Sequence, residues 1–161
     1  DRETREATEL AELYRANATE LTRFATMLVG PGRAEDVVSE AMTRVLATVP
    51  AATVANLRAY LYRAVLNQSR RTLRSDDARR RREHRFIASH VTATAVEPDE
   101  EVSAAVADLS DRQRAVVFFT YWQDLEPRAI AAVLDISEGA VRRHLARARA
   151  RLRRILADES R

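Results

Sequence analysis

Cysteine and lysine are absent from this chain of 161 residues, and glycine and proline are scarce, with three and four residues respectively. Without cysteine, disulfide bonds and thiolate metal sites are excluded, and three glycines do not provide a glycine-rich phosphate loop. The three histidines are isolated in the sequence, so we expect neither a metal site nor a cofactor. No apolar run approaches the length of a membrane span, and the first residues lack the apolar core of a signal peptide. We therefore expect a cytoplasmic protein with no direct membrane insertion.

The charge is distributed unevenly along the chain. All 27 basic residues are arginines, and the net charge is only +3. Residues 58–85 carry ten arginines against three acidic residues, and residues 112–161 carry eleven against six. Residues 1–57 and 86–111 have net charges of −3 and −6. Because arginine forms a planar fork that suits phosphates and guanine edges, the two basic segments indicate two modules that face nucleic acid, joined by an acidic segment.

The most informative pattern, in the last third of the chain, is that of a helix-turn-helix. Pro127 suits the first position of a helix, where its missing N–H costs nothing, and Ser137 suits the N-cap of a second helix. That second helix would turn apolar residues inward at spacings of three and four, namely Val141, Leu145, Ala148, Leu152 and Leu156. Its other face is rich in arginine, so the pattern predicts a recognition helix for the DNA major groove.

The N-terminal half also has helical periodicity. Three apolar stripes are separated by Gly30-Pro31-Gly32 and by Pro50. The arginine-rich residues 70–85 either continue the third helix or form a fourth, which Asp76 and Asp77 could cap.

A second periodic region follows a break. Periodicity fades over residues 86–98, which we interpret as a flexible linker ending beside an acidic cluster. Ser110 and Gln113 then fit a capping box at the start of another helix. Since no segment alternates convincingly as a strand would, the sequence predicts an all-α fold of two small helical domains.

Three segments in this order resemble the extracytoplasmic-function sigma factors, the minimal two-domain promoter-recognition subunits of bacterial RNA polymerase. Residues Ala34 to Leu46 are similar to the family's polymerase-clamp-binding helix, and residues Leu57 to Asn67 to its promoter-melting helix. Residues Leu109 to Leu152 are similar to its C-terminal domain. The turn position held by Asp135 is usually glycine in the family, but aspartate tolerates a left-handed backbone better than most residues.

The resemblance implies both a division of the chain and a function. Residues 5–85 would be sigma region 2, which binds core polymerase and melts the minus-ten element, and residues 86–98 the linker. Residues 99–158 would be sigma region 4, which recognises the minus-thirty-five element. The implied protein is a sigma factor without enzymatic activity whose partners are RNA polymerase core, promoter DNA and an anti-sigma factor. The alternatives are a stand-alone helix-turn-helix transcription regulator with a helical sensor domain, or a helical RNA-binding or adaptor protein.

The resemblance also assigns roles to particular residues. The expected minus-thirty-five contacts are Arg142, Arg143, His144, Ala146 and Arg147. The expected minus-ten contacts are Tyr62, Asn67, Arg70, Arg71 and Arg74. The expected polymerase contacts are Asp36, Val37, Glu40 and Arg44.

Several of these residues have a purely structural interpretation as well. A helical wheel places Tyr60 at the edge of the buried stripe and Tyr62 on the outer face. The aromatic residues Phe118, Phe119, Tyr121 and Trp122 are expected in the core of the second domain. No other candidate catalytic residue accompanies the pair Asp36 and Glu40, so we assign it to a protein contact rather than to acid–base chemistry. Because the linker lacks arginine and holds few large apolar side chains, we expect the two domains to move independently until an anti-sigma partner fixes them.

Overall fold

The computed structural model describes residues 2–48, 54–83 and 105–159, which form helices joined by short turns, with no strand among them. The predicted all-α fold is thereby confirmed. The helices are α1 Arg2–Val29, α2 Pro31–Thr48, α3 Leu57–Glu83, α4 Asp111–Tyr121, α5 Pro127–Leu134 and α6 Glu138–Glu159. A short helical turn at residues 105–107 precedes α4. The predicted linker, residues 86–98, lies outside the described residues.

Helices α1 and α2 meet at a corner that the sequence predicted. Gly30 has φ of +86°, a left-handed conformation that glycine adopts without steric cost. Its amide donates to the Thr26 carbonyl at 2.8 Å, which closes the last turn of α1. Pro31 begins α2 directly afterwards, so one residue separates the two helices.

The arginine-rich segment after Asn67 continues α3 and is not a separate helix. The alternative in which Asp76 and Asp77 cap a fourth helix is therefore wrong. Asp76 lies inside α3 and forms an ion pair with Arg33 of α2. Because no proline or glycine interrupts residues 57–83, the helix has no cause to end earlier.

The start of α4 is fixed by the predicted capping box. The Ser110 backbone N–H donates to Gln113 Oε1 at 3.0 Å, and the Gln113 N–H donates to Ser110 Oγ at 3.3 Å. Both donors would otherwise lack a partner at the first turn. The capping box is thus confirmed, and it sets where the aromatic residues of α4 fall.

The two halves of the chain share one hydrophobic core. Phe24 of α1 lies 5.0 Å from Phe118 and 5.2 Å from Phe119 of α4, measured between ring centroids. Tyr62 of α3 lies 5.1 Å from Phe119. In this arrangement the two domains are in contact, because α4 inserts two aromatic rings between α1 and α3; their independent motion in solution stays a prediction.

The aromatic cluster of α4 divides between core and surface. Phe118 and Phe119 are buried, as expected. Tyr121 and Trp122 are 59% and 62% exposed, so their assignment to the core is wrong. The helix ends at Tyr121, and Trp122 stacks flat on the outer side of Phe118 with 6.4 Å between ring centroids.

Polar contacts line the edge of the shared core. Arg114 Nη1 of α4 donates to the Leu28 carbonyl of α1 at 2.6 Å, and burial lowers the pKa of this arginine. Gln123 donates to Glu20 at 2.8 Å and accepts from Arg58 at 2.9 Å. These bonds satisfy polar groups that the contact between the halves would otherwise leave unpaired.

We predict that Phe24→Ala lowers the free energy of unfolding by about 3–5 kcal/mol, because a buried aromatic side chain is replaced by a cavity. Trp122, the only tryptophan, lies in the C-terminal half and stacks on Phe118. Its fluorescence during urea unfolding therefore reports whether a substitution in α1 destabilises α4.

The matched control is Leu46→Ala, because Leu46 is 54% exposed on α2 and its loss should cost less than about 0.5 kcal/mol. If Phe24→Ala does not change the urea midpoint of the Trp122 fluorescence transition, the halves unfold independently and the shared core contributes nothing to stability.

Candidate nucleic-acid interface

Residues at the helix ends determine the helix-turn-helix that α5 and α6 form. Pro127 occupies the first turn of α5, and Asp135 ends it with φ of 54° and ψ of 51°. The left-handed conformation expected at Asp135 is thereby confirmed. Ser137 Oγ accepts from the Ala140 N–H at 3.1 Å, as an N-cap side chain does. These three residues set the turn between the two helices.

Helix α6 turns its two faces to different environments. Val141, Leu145 and Ala148 are buried against α4 and α5. The opposite face is exposed along the first three turns and carries Arg142, Arg143, Ala146 and Arg147, with His144 half-buried at its edge. All five expected minus-thirty-five residues therefore share one helix, and four of them are open to a partner.

The arginines of this face differ in their contacts within the protein. Arg142 forms an ion pair with Glu138, one turn earlier on α6. Arg143 and Arg147 are exposed and have no hydrogen bond or ion pair within the described part of the chain. Since an internal ion pair occupies some of an arginine's donors and offsets its charge, Arg143 and Arg147, which have none, are the most available for reading bases.

His144 lies at the border between this face and the core. Burial is the main cause that lowers its pKa, and the positive charges of Arg112, Arg147 and Arg143 lower it further. The imidazole is therefore neutral near pH 7. A neutral imidazole has one donor and one acceptor nitrogen, so His144 adds hydrogen-bonding capacity without adding charge.

The expected minus-ten residues lie along α3 in unequal environments. Asn67, Arg71 and Arg74 are exposed. Arg70 is half-buried and forms an ion pair with Asp111 at the start of α4. Burial alone would raise the pKa of Asp111, but the hydrogen bond and the charge of Arg70 outweigh it and lower the pKa. Arg70 is therefore already engaged by the C-terminal half.

Tyr62 was expected on the outer face of α3, and that expectation is wrong. The side chain is 2% exposed, and the rings of Phe24 and Phe119 lie against it at 5.4 and 5.1 Å. Burial raises the pKa of its hydroxyl, which makes no hydrogen bond to a described residue. Sequence periodicity missed this burial because the covering rings come from other helices, Phe24 from α1 and Phe119 from α4, far from Tyr62 in the chain.

The expected polymerase contacts on α2 separate into exposed and buried residues. Asp36, Glu40 and Arg44 are exposed and follow one another at intervals of four residues, which places them on one face. Glu40 also accepts a hydrogen bond from Gln68 of α3. Val37 is 1% exposed, so its expected contact with a partner is not possible in this arrangement. It belongs to the hydrophobic core in which α2 packs against α1 and α3.

The two predicted surfaces of the N-terminal half adjoin each other. Arg44 of α2 and Asn67 and Arg71 of α3 line one groove of about 320 Å³. Leu46, near the end of α2, is 54% exposed. An exposed leucine suits a protein contact.

The described residues contain no cluster of three or more histidine and acidic side chains placed to hold a metal ion. Among the helices that the structure describes, none combines the length and apolar character that crossing a membrane requires. The chemistry available on these surfaces is therefore hydrogen bonding and charge, carried mainly by arginine.

Comparison with known proteins gives two family matches. Residues 13–81 match the model described as Sigma-70 region 2, and residues 99–152 match the model described as Sigma-70, region 4. The two matches together span most of the chain. No curated protein sequence matches the chain significantly.

Two solved structures resemble the whole chain in fold. The sigma factor RpoE from Bartonella quintana, in complex with the anti-sigma factor NepR, has a TM-score of 0.68 and 21% identity, over 92% of this chain and 97% of that one. CnrH, in complex with the cytosolic domain of CnrY, has a TM-score of 0.65 and 21% identity, over 98% of this chain and 93% of that one. At this level of identity the likeness establishes the fold.

We predict that Arg143→Ala and Arg147→Ala each relax the preference for particular bases, at a cost of roughly 1–3 kcal/mol for the preferred sequence. The reason is that both side chains are exposed and unpaired in the first turns of α6. The measurement is binding to a panel of upstream sequences, each differing at one base.

Arg154→Ala is the control, because Arg154 is an exposed arginine seven residues beyond Arg147 on α6 and should affect all sequences alike. If Arg143→Ala and Arg147→Ala also weaken every sequence equally and only reduce the salt dependence, both are phosphate contacts and the assignment to base reading is wrong.

Proposed function

Because the chain belongs to the sigma-70 family and is a sigma factor of the extracytoplasmic-function type, we propose that its two helical domains divide the work of promoter recognition. A sigma factor of this type binds RNA polymerase core and directs promoter-specific initiation. In this proposal residues 5–85 bind the core enzyme and melt the minus-ten element. Residues 99–158 read the minus-thirty-five element, and residues 86–98 connect the two.

The observation that carries the minus-thirty-five assignment is the free arginine face of α6. Arg143 and Arg147 have no described partner, whereas the neighbouring Val141 and Leu145 are buried and fix the helix in place. A helix anchored by its buried face, with exposed and unpaired arginines on its outer face, suits insertion into a major groove. Arg142, His144 and Ala146 border the same face and complete the proposed contact.

The minus-ten assignment rests on α3. Asn67 offers both a donor and an acceptor to an unstacked base, and Arg71 and Arg74, exposed one and two turns further on, can hold the backbone of a single strand. Arg70 and Tyr62 belong to the same proposed site but contact α4 in this arrangement.

We infer that the shared core represents a resting arrangement that opens when the protein binds polymerase. Tyr62 and Arg70, two of the proposed minus-ten residues, are both engaged by α4 in this arrangement. Separation of α4 from α1 and α3 would free Tyr62 and Arg70 together.

An anti-sigma partner is proposed for the same arrangement. The related folds RpoE and CnrH were solved with NepR and with the cytosolic domain of CnrY, and both likenesses extend over nearly the whole of this chain. A partner that bound this chain with its halves in contact would keep Tyr62 covered. Because we infer that the halves separate when the protein binds polymerase, a partner that keeps them in contact would compete with core polymerase.

The protein is also proposed to work without catalytic activity of its own and in the cytoplasm. RNA polymerase performs the chemistry of transcription, and the surfaces described above provide binding groups rather than a nucleophile paired with a base. A run-off transcription assay with core polymerase distinguishes this function from that of a stand-alone regulator, which would bind DNA without the core enzyme.

We predict that the double charge reversal Asp36→Arg and Glu40→Arg weakens binding to core polymerase by about tenfold or more, because it replaces two exposed acidic groups on the proposed contact face. Co-purification with the core enzyme measures the effect, and circular dichroism checks that the chain remains helical.

Glu35→Arg is the matched control, since Glu35 is an exposed acid beside Asp36 but lies on a different flank of α2. Equal losses from the control and from the double reversal would indicate a general charge effect. Unchanged co-purification of the double variant would remove α2 from the polymerase contact.

We predict that Asn67→Ala impairs open-complex formation while closed-complex binding stays within about twofold, because the amide would contact a base only after it has left the stack. Permanganate reactivity of unpaired thymines measures the open complex. Ser75→Ala, an exposed change later on α3, provides the control. Identical permanganate patterns for Asn67→Ala and the wild-type protein would contradict the assignment.

A further inference from the structure

Three arginines of α6 are held by neighbouring side chains. Arg142 is paired with Glu138, and Arg151 Nε donates to Asp108 at 2.7 Å. Arg149 differs from both, because its Nε donates to the hydroxyl of Tyr121 at 2.7 Å. The Arg149 guanidinium carbon also lies 5.6 Å from the centre of the Tyr121 ring.

The nature of the partner decides what each arginine can still do. A carboxylate offsets the arginine charge, so Arg142 and Arg151 attract a further anion less strongly. A phenol is neutral at neutral pH, so Arg149 keeps its full charge while its orientation is restricted. Because only Nε is occupied, the two terminal nitrogens remain available for a bidentate contact with phosphate oxygens.

The location of this pair suits the DNA backbone. Arg149 lines a groove of about 380 Å³ between the end of α4, the start of α5 and the flank of α6. Arg142 and Ala146, two of the proposed minus-thirty-five residues, line the same groove. Arg149 lies two turns after Arg142 on that flank, whereas Arg143 and Arg147 point to the outer face. A strand that follows the recognition helix would therefore pass this groove.

We propose that Tyr121 is a positioning residue that holds Arg149 as a clamp for one DNA phosphate beside the minus-thirty-five site. The proposal rests on the proposed function of α6 and extends it to a residue on α4. It explains why a tyrosine that is 59% exposed lies next to the recognition helix. Its ring and its hydroxyl both restrict a charged side chain that would otherwise sample many rotamers.

The test is a double-mutant cycle on the complete holoenzyme, assembled from core polymerase and the full chain. Promoter affinity is measured over a range of salt concentrations for the wild-type protein, Tyr121→Phe, Arg149→Ala and the double variant. Tyr121→Phe keeps the ring and removes only the hydroxyl acceptor. Because residue 121 is exposed, this change should leave the melting temperature unaltered.

Arg149→Ala should reduce affinity about tenfold, as expected for the loss of a charge-assisted hydrogen bond, and should lower the salt slope by about 0.9. Tyr121→Phe should reduce affinity about threefold in the wild-type background, because it removes one neutral hydrogen bond. It should have no effect when Arg149 is already alanine. Neither change should alter the preference among minus-thirty-five sequences, since a phosphate carries no sequence information.

Arg153→Ala is the matched control, because Arg153 is an exposed arginine one turn further along the same flank, and its loss should be unaffected by Tyr121→Phe. Additive losses from Tyr121→Phe and Arg149→Ala would overturn the proposal, and so would a changed base preference in Tyr121→Phe. A wild-type holoenzyme without any minus-thirty-five preference would instead overturn the proposed function of α6, so the two failures are distinguishable.

Discussion

The arrangement of the whole chain depends on the contact between Phe24 and the two phenylalanines of α4. Phe118 and Phe119 lie 5.0 and 5.2 Å from Phe24, and Tyr62 completes the cluster from α3. Each large aromatic side chain that is buried contributes several kcal/mol to folding or association. This contact therefore determines that two helical regions, separated by more than twenty residues without described structure, pack as one body.

The same contact has a functional consequence, because it covers residues that the proposed minus-ten site requires. Tyr62 is buried by the rings of α1 and α4, and Arg70 is paired with Asp111. The surfaces on α2 and on α6 remain exposed in the same arrangement. In this arrangement the surfaces proposed to meet a protein partner and duplex DNA are therefore accessible, whereas only part of the proposed melting surface is.

The exposed arginines of α6 fall into two groups, those with a partner side chain within the protein and those without one. Arg143 and Arg147 on the outer face are unpaired within the described residues, whereas Arg142, Arg149 and Arg151 on the flanks are each held by a neighbour. Free side chains can adapt to base edges, and restricted side chains lose less entropy when they bind a backbone phosphate. A single helix can thus combine adaptable and fixed contacts.

The sequence by itself determined the features that depend on neighbouring residues. Ser110 with Gln113, Pro127, Asp135 and Ser137 fix helix ends through bonds or backbone angles within a few positions, so their patterns were readable directly. The exposed face of α6 was equally predictable, because a period of 3.6 residues places Arg143 and Arg147 opposite Val141 and Leu145.

Only the tertiary structure decided which helix faces are buried by other helices. Tyr62 and Val37 were expected to be accessible and are buried, whereas Tyr121 and Trp122 were expected in the core and are exposed. Tyr62 was misassigned because its neighbours come from distant parts of the chain. A helical wheel describes one helix alone, and it carries no information about a second helix that packs against its outer face. Burial and pairing between helices depend on that long-range contact, which is why the structure, and not the sequence pattern, assigned Tyr121 to Arg149.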